Sequence, residues 1–321
     1  MSINPQDTDF IRRHVLRALS SNRAPGMHFA GYFLGFTPRR FKTDGVEFTV
    51  EAAPHCTDAD GIVNRAALLF AADMTLAAAN RVFLDPNVRT ATLMIRVEFT
   101  GEPAHGTLEA SGRGNGFSPH TALPESTCAG RIVCNGREVM RMSGAWVSPP
   151  APEGMTMHGL PWEGGEDGAQ WPLLKKGELD TAEKDVVRRV ERALHVAQNG
   201  DLLASLWDPV VKRAPNGASG RLAVGMHVGN RVGHVQGGLL LNTALATAQA
   251  AVPAHPILTG ASAWYISPGQ GKVISARSSV LQSGRNVAVV RTELFTAGRK
   301  LVLEVISNHA VPSGLRPTRK P

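Results

Sequence analysis

Two stretches of the chain, GIVNRAALLFAADMTLAAA from Gly61 and GHVQGGLLLNTALATAQAA from Gly233, lie over each other without a gap at an offset of 172 residues. Only the first carries a carboxylate, Asp73, which falls opposite Leu245. Only the second begins on a glycine pair, Gly237 and Gly238, opposite Arg65 and Ala66, with Gln236 opposite Asn64. A carboxylate inside an apolar segment is desolvated and holds its proton more tightly, so it can take a proton from water near neutral pH or attack as a nucleophile. A glycine pair at a helix start offers unpaired amides and the positive end of the helix dipole to an oxygen that becomes negative. Glycine also lets that oxygen come close, since no Cβ stands in the way. Asn230 and Gln236 carry donors and acceptors that can hold a water or a carbonyl, or simply cap the helix and tie the loop. Eight residues of helix span about 12 Å, so Asp73 is too far from the start of its own helix to act there. It must serve a neighbouring one.

The elements that must position these residues come twice in the same order. An amphipathic segment opens each half, DTDFIRRHVLRAL near the start and DTAEKDVVRRVERAL from Asp180, with apolar residues returning every three or four positions. An extended stretch follows, and then a Pro-free segment rich in Ala and Leu, over 64–84 and 236–252. Such a helix is apolar on all sides and has to be wrapped by the rest of its unit. Strand-like runs come next: TATLMIRVEF, GTLEASGRGNG, STCAGRIVCNG and REVMRMSGAWV, then TGASAWYIS, GKVISARSSVLQSG, NVAVVRTELFTAG and RKLVLEVISNHA. CNGR and TAGR supply hairpin turns. GRGNG from Gly112 has the look of a phosphate loop, but no long helix follows it, and it reads as a turn. The Pro- and Gly-rich segment 151–179 reads as a linker between units at 1–150 and 180–321. The expected class is α+β, with a buried helix and an antiparallel meander in each half.

The chain has 321 residues, 43% apolar and 19% charged, the balance of an ordinary globular protein with room for two cores. No apolar run reaches the roughly 20 residues of a membrane span, and the first residues lack the pattern of a secretory leader. Three cysteines without metal-ligand spacing suit a reduced compartment, so the expected location is the cytoplasm, without a bound metal. The net charge of +7 is scattered except for the tail RPTRKP, and no aromatic residues interleave with the Arg and Lys, so neither nucleic acid nor membrane is an expected partner. The eleven histidines, including the repeat mates His55 and His227, form no ligand pattern and read as surface or strand residues.

A long apolar helix wrapped by antiparallel sheet, entered through Asn230, Gly233, Gln236, Gly237 and Gly238, resembles the hotdog-fold acyl-CoA thioesterases, with Gln where that pattern has His. The carboxylate of that pattern stands eight residues after the first glycine, and Asp73 stands eight after Arg65. The order of parts is similar to acyl-CoA thioesterase II, a tandem (double) hotdog, except that the glycine pair lies in the second half here. The resemblance implies one composite thioester-hydrolysing site between the two halves, with coenzyme A as part of the substrate rather than a cofactor. It makes Thr92, in RTATLMIRVEF, the hydroxyl beside Asp73. The strand glutamine of that enzyme has no counterpart, since MRMSGAWV offers only Ser143. Coenzyme A carries phosphates, and Arg277, Arg285 and Arg291 are the expected cations for them. A homo-oligomer of double-hotdog units stays open. Two other functions fit the same fold. One is an acyl-CoA binder without catalysis, which requires Asp73 to point away from Gly237. The other is an enoyl-CoA hydratase or dehydratase, whose Asp followed five residues later by His is not met, because Asp58 is followed by Val63 and Asp60 by Arg65.

Overall fold

The computed structural model describes residues 3–24, 26, 28–118, 120, 122–151, 154, 156–160, 171–253 and 256–312. The RPTRKP tail and the centre of the expected linker, 161–170, lie outside the described residues. The first half runs α1 (Pro5–Asn22), α2 (Phe29–Leu34), β1 (Thr37–Lys42), β2 (Gly45–Val50), α3 (Arg65–Arg81), β3 (Ala91–Phe99), β4 (Leu108–Ser118), β5 (Glu125–Cys134) and β6 (Arg137–Val147). The second runs α4 (Thr181–Val196), α5 (Leu202–Trp207), β7 (Val210–Ala214), β8 (Gly217–Ala223), α6 (Gly237–Ala251), β9 (Ile257–Tyr265), β10 (Val273–Ser283), β11 (Val287–Phe295) and β12 (Leu301–Ala310). The halves match element for element, with short helices and edge strands that the sequence pattern does not single out.

All strands pair antiparallel in one twelve-stranded sheet, ordered β1-β2-β4-β5-β6-β3-β9-β12-β11-β10-β8-β7. The second half of that order is the first half reversed, with each strand replaced by its repeat mate. The two expected sheets are therefore joined edge to edge through β3 and β9, which pair from Met94↔Trp264 to Glu98↔Gly260. Joining them there removes two free sheet edges, each of which would otherwise invite aggregation. Duplication is also visible at fine scale: the isolated bridges Thr57↔Val63 and Gly229↔Val235 are the same bridge moved by 172 residues.

Helices α3 and α6 are the Ala- and Leu-rich segments, and both are buried on nearly every side. Each packs on its own half of the sheet, and the two pack on each other. Arg65 meets Asn242, an added Cβ on Gly238 would meet Leu69, and Asp73 meets Gln236. One number rises as the other falls, so the helices are antiparallel. Gly238 sits at the crossing, where a Cβ would stand 2.3 Å from the Leu69 carbonyl oxygen.

Two expectations are corrected. GRGNG is not a turn: Gly112 to Gly116 run inside β4, with a bulge between Gly114 and Phe117. The glycines are there because α3 crosses close over that strand, and a Cβ on Gly114 would stand 2.3 Å from the Ala79 carbonyl oxygen. His55 and His227 are neither surface nor strand residues. Both are buried in the turns that lead toward α3 and α6, where burial pushes their pKa values down to about 3 and about 4.

Candidate active site

Asp73 lies two turns into α3, where a chain of Ala and Leu would otherwise make plain core, and only 6% of it is exposed. Three donors converge on its carboxylate. Gln236 Nε2 donates to Oδ2 at 2.6 Å, Thr92 Oγ1 donates to Oδ1 at 3.3 Å, and the Gly238 N–H gives a backbone hydrogen bond. Hydrogen bonds to the charged form lower a carboxylate pKa and burial raises it. Here burial wins, and the Asp73 pKa is pushed up to about 7, with Gly238 and Thr92 holding it back.

Each donor has a local reason for its position. Thr92 stands at a bulge in β3, where the pairing with β6 slips between Thr92 and Met94; bulges re-aim side chains in this way. Gln236 is the N-cap of α6: its Oε1 accepts from the Leu239 N–H at 3.0 Å while its Nε2 serves Asp73. Both ends of its amide are thus committed, which fixes its orientation. Gly237 is pressed against the acid, since a Cβ there would lie 2.8 Å from Asp73 Oδ2. Among the described residues, the Gly237 N–H has no acceptor, whereas the next amides go to Asp73 and to the cap.

Asn230 takes the loop-tying role. Its Oδ1 accepts from the Val232 and His234 N–H groups, each at 3.0 Å, and this shapes the turn that delivers Gln236. It still lines the same cavity as Asp73, Thr92 and Gly237, a space of about 420 Å³. Arg277, Arg285 and Arg291 are not brought to that cavity. Arg277 is exposed on β10, Arg285 sits in the turn before β11, and Arg291 pairs with Glu293 and Glu304 across the strands. Ser143 also stands apart, in a cleft on the sheet beside Arg96 and Arg141.

The cavity holds cations and polar groups that the sequence does not single out: Arg89, Arg231, His234, His28 and Tyr265. They come from loops and a strand end, where no periodicity marks them. Arg89 is half-buried with no ion-pair partner among the described residues, and its burial lowers its pKa. Tyr265 lies in the strand-like run TGASAWYIS, where nothing marks its hydroxyl. Its hydroxyl donates to the Gly237 carbonyl at 2.9 Å.

The mirror position, at the start of α3, is built differently. Asn64 caps α3 as Gln236 caps α6, with Oδ1 accepting from the Ala66 N–H at 2.7 Å. Its amide group, however, goes to Asp201 at 2.7 Å. Arg65 donates to Asn242 at 3.0 Å, and Asn242 donates to Asp208 at 2.6 Å. Leu245, the repeat mate of Asp73, is fully buried. Side chains thus fill the place that the glycine pair keeps open in α6. Among the described residues no group of three or more His, Cys, Asp or Glu is arranged to hold a metal ion, and no helix is long and apolar enough to cross a membrane.

Residues 228–309 match the family described as Acyl-CoA thioesterase N-terminal domain. That match falls on the C-terminal half of this chain. No curated protein matches the sequence. Among solved structures, the chain is similar to a protein assigned as an oleoyl thioesterase from Lactobacillus plantarum, at 13% identity over 84% of this chain and 97% of that one, with a TM-score of 0.51. It is similar to the 12:0-ACP thioesterase of Umbellularia californica, at 13% identity over 84% and 94%, with a TM-score of 0.50. A protein assigned as a thioesterase from Novosphingobium aromaticivorans matches at 14% identity over 86% and 99%, with a TM-score of 0.50. At such identities the likeness is one of fold.

Proposed function

We propose, from the match of residues 228–309 to an acyl-CoA thioesterase domain, that the chain is a thioester hydrolase acting on acyl-coenzyme A at one composite site between two hotdog halves. In this reading the halves are residues 1–150 and 180–321, and each long helix with its part of the sheet is one hotdog. The observation that carries the proposal is the meeting of Asp73 from α3 with Gln236 and the Gly237–Gly238 amides at the start of α6.

The chemistry follows from that meeting. The thioester carbonyl oxygen accepts from the free Gly237 N–H, at the positive end of α6, where developing negative charge is stabilised. A water held by Asp73 gives its proton to the carboxylate as its oxygen bonds to the carbonyl carbon. When the tetrahedral intermediate collapses, the carbon–sulfur bond breaks and the protonated Asp73 returns the proton to the departing thiolate. The products are the free acid and coenzyme A, and no cofactor enters the balance. Gln236 and Thr92 keep the carboxylate oriented through both steps. Gln236, reaching in from the helix cap, supplies the amide contact that Ser143 on its strand cannot.

Met74, Ala77, Trp146 and Leu240 give the cavity its apolar wall, a fit for an acyl chain. Arg89 and Arg231 give it positive charge, and they replace Arg277, Arg285 and Arg291 as the groups we assign to the phosphates of coenzyme A. The non-catalytic reading required Asp73 to point away from Gly237, whereas its carboxylate lies against that residue. The test is a panel of CoA thioesters, from acetyl through long-chain to aromatic, with free thiol measured over time. Turnover of at least one ester supports hydrolysis. Saturable binding of esters with no thiol release from any of them establishes the binding protein instead.

A further inference from the structure

Tyr265 touches none of the reacting atoms in the proposed chemistry, yet it is the side chain that grips the glycine pair. It ends β9, beside the seam where β9 pairs with β3, and it pairs with Leu303 of β12. Its ring lines the Asp73 cavity, and its hydroxyl donates to the Gly237 carbonyl at 2.9 Å. That carbonyl and the Gly238 N–H are two ends of one planar peptide, so fixing the oxygen fixes the direction of the N–H. The Gly238 N–H is the one that donates to Asp73. Two consecutive glycines at the first positions of a helix are conformationally loose, and a hold from outside the helix is what such a peptide lacks. We infer that Tyr265 is a positioning residue: it clamps the Gly237–Gly238 peptide so that one amide stays on Asp73 and the preceding amide stays open to a substrate oxygen.

The clamp also acts through the bonds of the peptide. A carbonyl that accepts a hydrogen bond polarises its amide, which makes the N–H at the other end a stronger donor. The carboxylate form of Asp73 is then favoured. Burial and the Asp73 charge push the Tyr265 pKa well above 10, so the hydroxyl stays a neutral donor. The other titratable groups facing this acid are the Cys128 thiol on β5, pushed up to about 12 and hence neutral, and the cavity residues His28, Arg81, Arg89, Arg231 and His234. The tyrosine hydroxyl is bonded to the Gly237 carbonyl and not to the Asp73 carboxylate itself.

This inference rests on the proposed function for its kinetic consequence but not for its structural one, and the experiment separates the two. The Asp73 carboxyl is followed by carbon-13 NMR in protein labelled at Asp Cγ, with the resonance assigned by its loss in Asp73→Asn. In Tyr265→Phe the titration midpoint is expected to rise by about 0.5–1 pH unit, and the acid limb of kcat/KM to rise with it. Activity lost near neutral pH then returns at higher pH, which a merely structural defect would not produce. The chain has two tyrosines, so 3-fluorotyrosine incorporated in a Tyr32→Phe background labels position 265 alone. This stronger donor keeps the ring and the fold and is expected to move the midpoint down relative to the Tyr32→Phe protein. A midpoint unchanged in the fluorinated protein, or in folded Tyr265→Phe, overturns the inference. A wild-type protein that hydrolyses no thioester overturns the proposed function and leaves the NMR result standing by itself.

Discussion

Gly238→Ala tests how closely the two central helices must approach. An added Cβ would stand 2.3 Å from the Leu69 carbonyl oxygen, 2.6 Å from its carbon and 2.9 Å from the Phe70 Cα. All three are backbone atoms in the middle of α3, so no side chain can swing aside. Ordinary contact of carbon with a neighbouring atom begins near 3.5 Å, so the start of α6 must retreat by about 1 Å. Forcing a methyl group into a packed interior costs about 1–3 kcal/mol. For a chain of 321 residues, with an unfolding entropy of about 2.1 cal/mol/K per residue, that lowers the melting temperature by about 1.5 °C per kcal/mol, a few degrees at most. The same retreat draws Gln236 and the Gly237 amide away from Asp73, and a misplacement of about 1 Å costs on the order of 10²-fold in rate. Thermal denaturation and thiol release are measured on the same preparation. The mirror residue Ala66 already carries a Cβ while fully buried, so the demand is local to the start of α6. A Gly238→Ala protein that melts and turns over like the wild type would show that the crossing at Leu69 does not set the site.

The Asp73 pKa of about 7 places the acid limb of kcat/KM near neutral pH, with activity rising as the carboxylate forms; a pH profile flat from 5 to 9 would contradict the base role. Folded His55 and His227 titrate at about 3 and about 4 against about 6.5 when unfolded, so the unfolded chain binds more protons between those values. Their contribution to stability is therefore full above pH 6.5 and falls as the pH drops toward 4, while the raised Asp73 carboxyl contributes with the opposite sign; urea denaturation at stepped pH isolates the histidine part by comparison with His55→Gln, whose acid loss is expected to be smaller. Leu245→Asp should create no second activity, because Arg65, Asn242 and Asp208 fill the mirror position, and it should destabilise by roughly 3 kcal/mol or more through an unpaired buried charge; gain of turnover would refute this. Arg89→Gln should raise KM for acyl-CoA several-fold while leaving truncated pantetheine thioesters unaffected, and equal KM for both proteins would remove Arg89 from phosphate binding.

Much of this arrangement was legible because it is written in spacing. The register that lays Asp73 over Leu245 and Gln236 over Asn64 also lays one turn bridge over the other and one N-cap over the other. Apolar segments without Pro became the two central helices because a segment greasy on all sides has to be enclosed. Thr92 was found through family resemblance, since a lone Thr at a strand start carries no periodic signal. What spacing could not give is the direction of side chains that arrive from loops. Arg277, Arg285 and Arg291 look suitable as charges, but the sequence does not tell that β10, the turn before β11 and β11 hold them away from the cavity. Arg89, Arg231 and His234 sit in irregular segments, and their approach to the cavity is decided by turns such as the one Asn230 ties. GRGNG was misread because its glycines answer to the nearness of α3, a tertiary demand, and not to a turn.

The central claim is that Asp73, lodged against Gly237 and Gly238 of the opposite half, activates the water that cleaves a thioester. Asp73→Asn keeps size and most hydrogen bonding and removes the base, so it is the most direct measurement. Its turnover of the best substrate on the thioester panel should fall by on the order of 10² to 10⁴, with acyl-CoA binding and melting temperature close to those of the wild type. Turnover by Asp73→Asn at the wild-type rate would contradict the account and leave Asp73 a buried acceptor that only ties the two helices together.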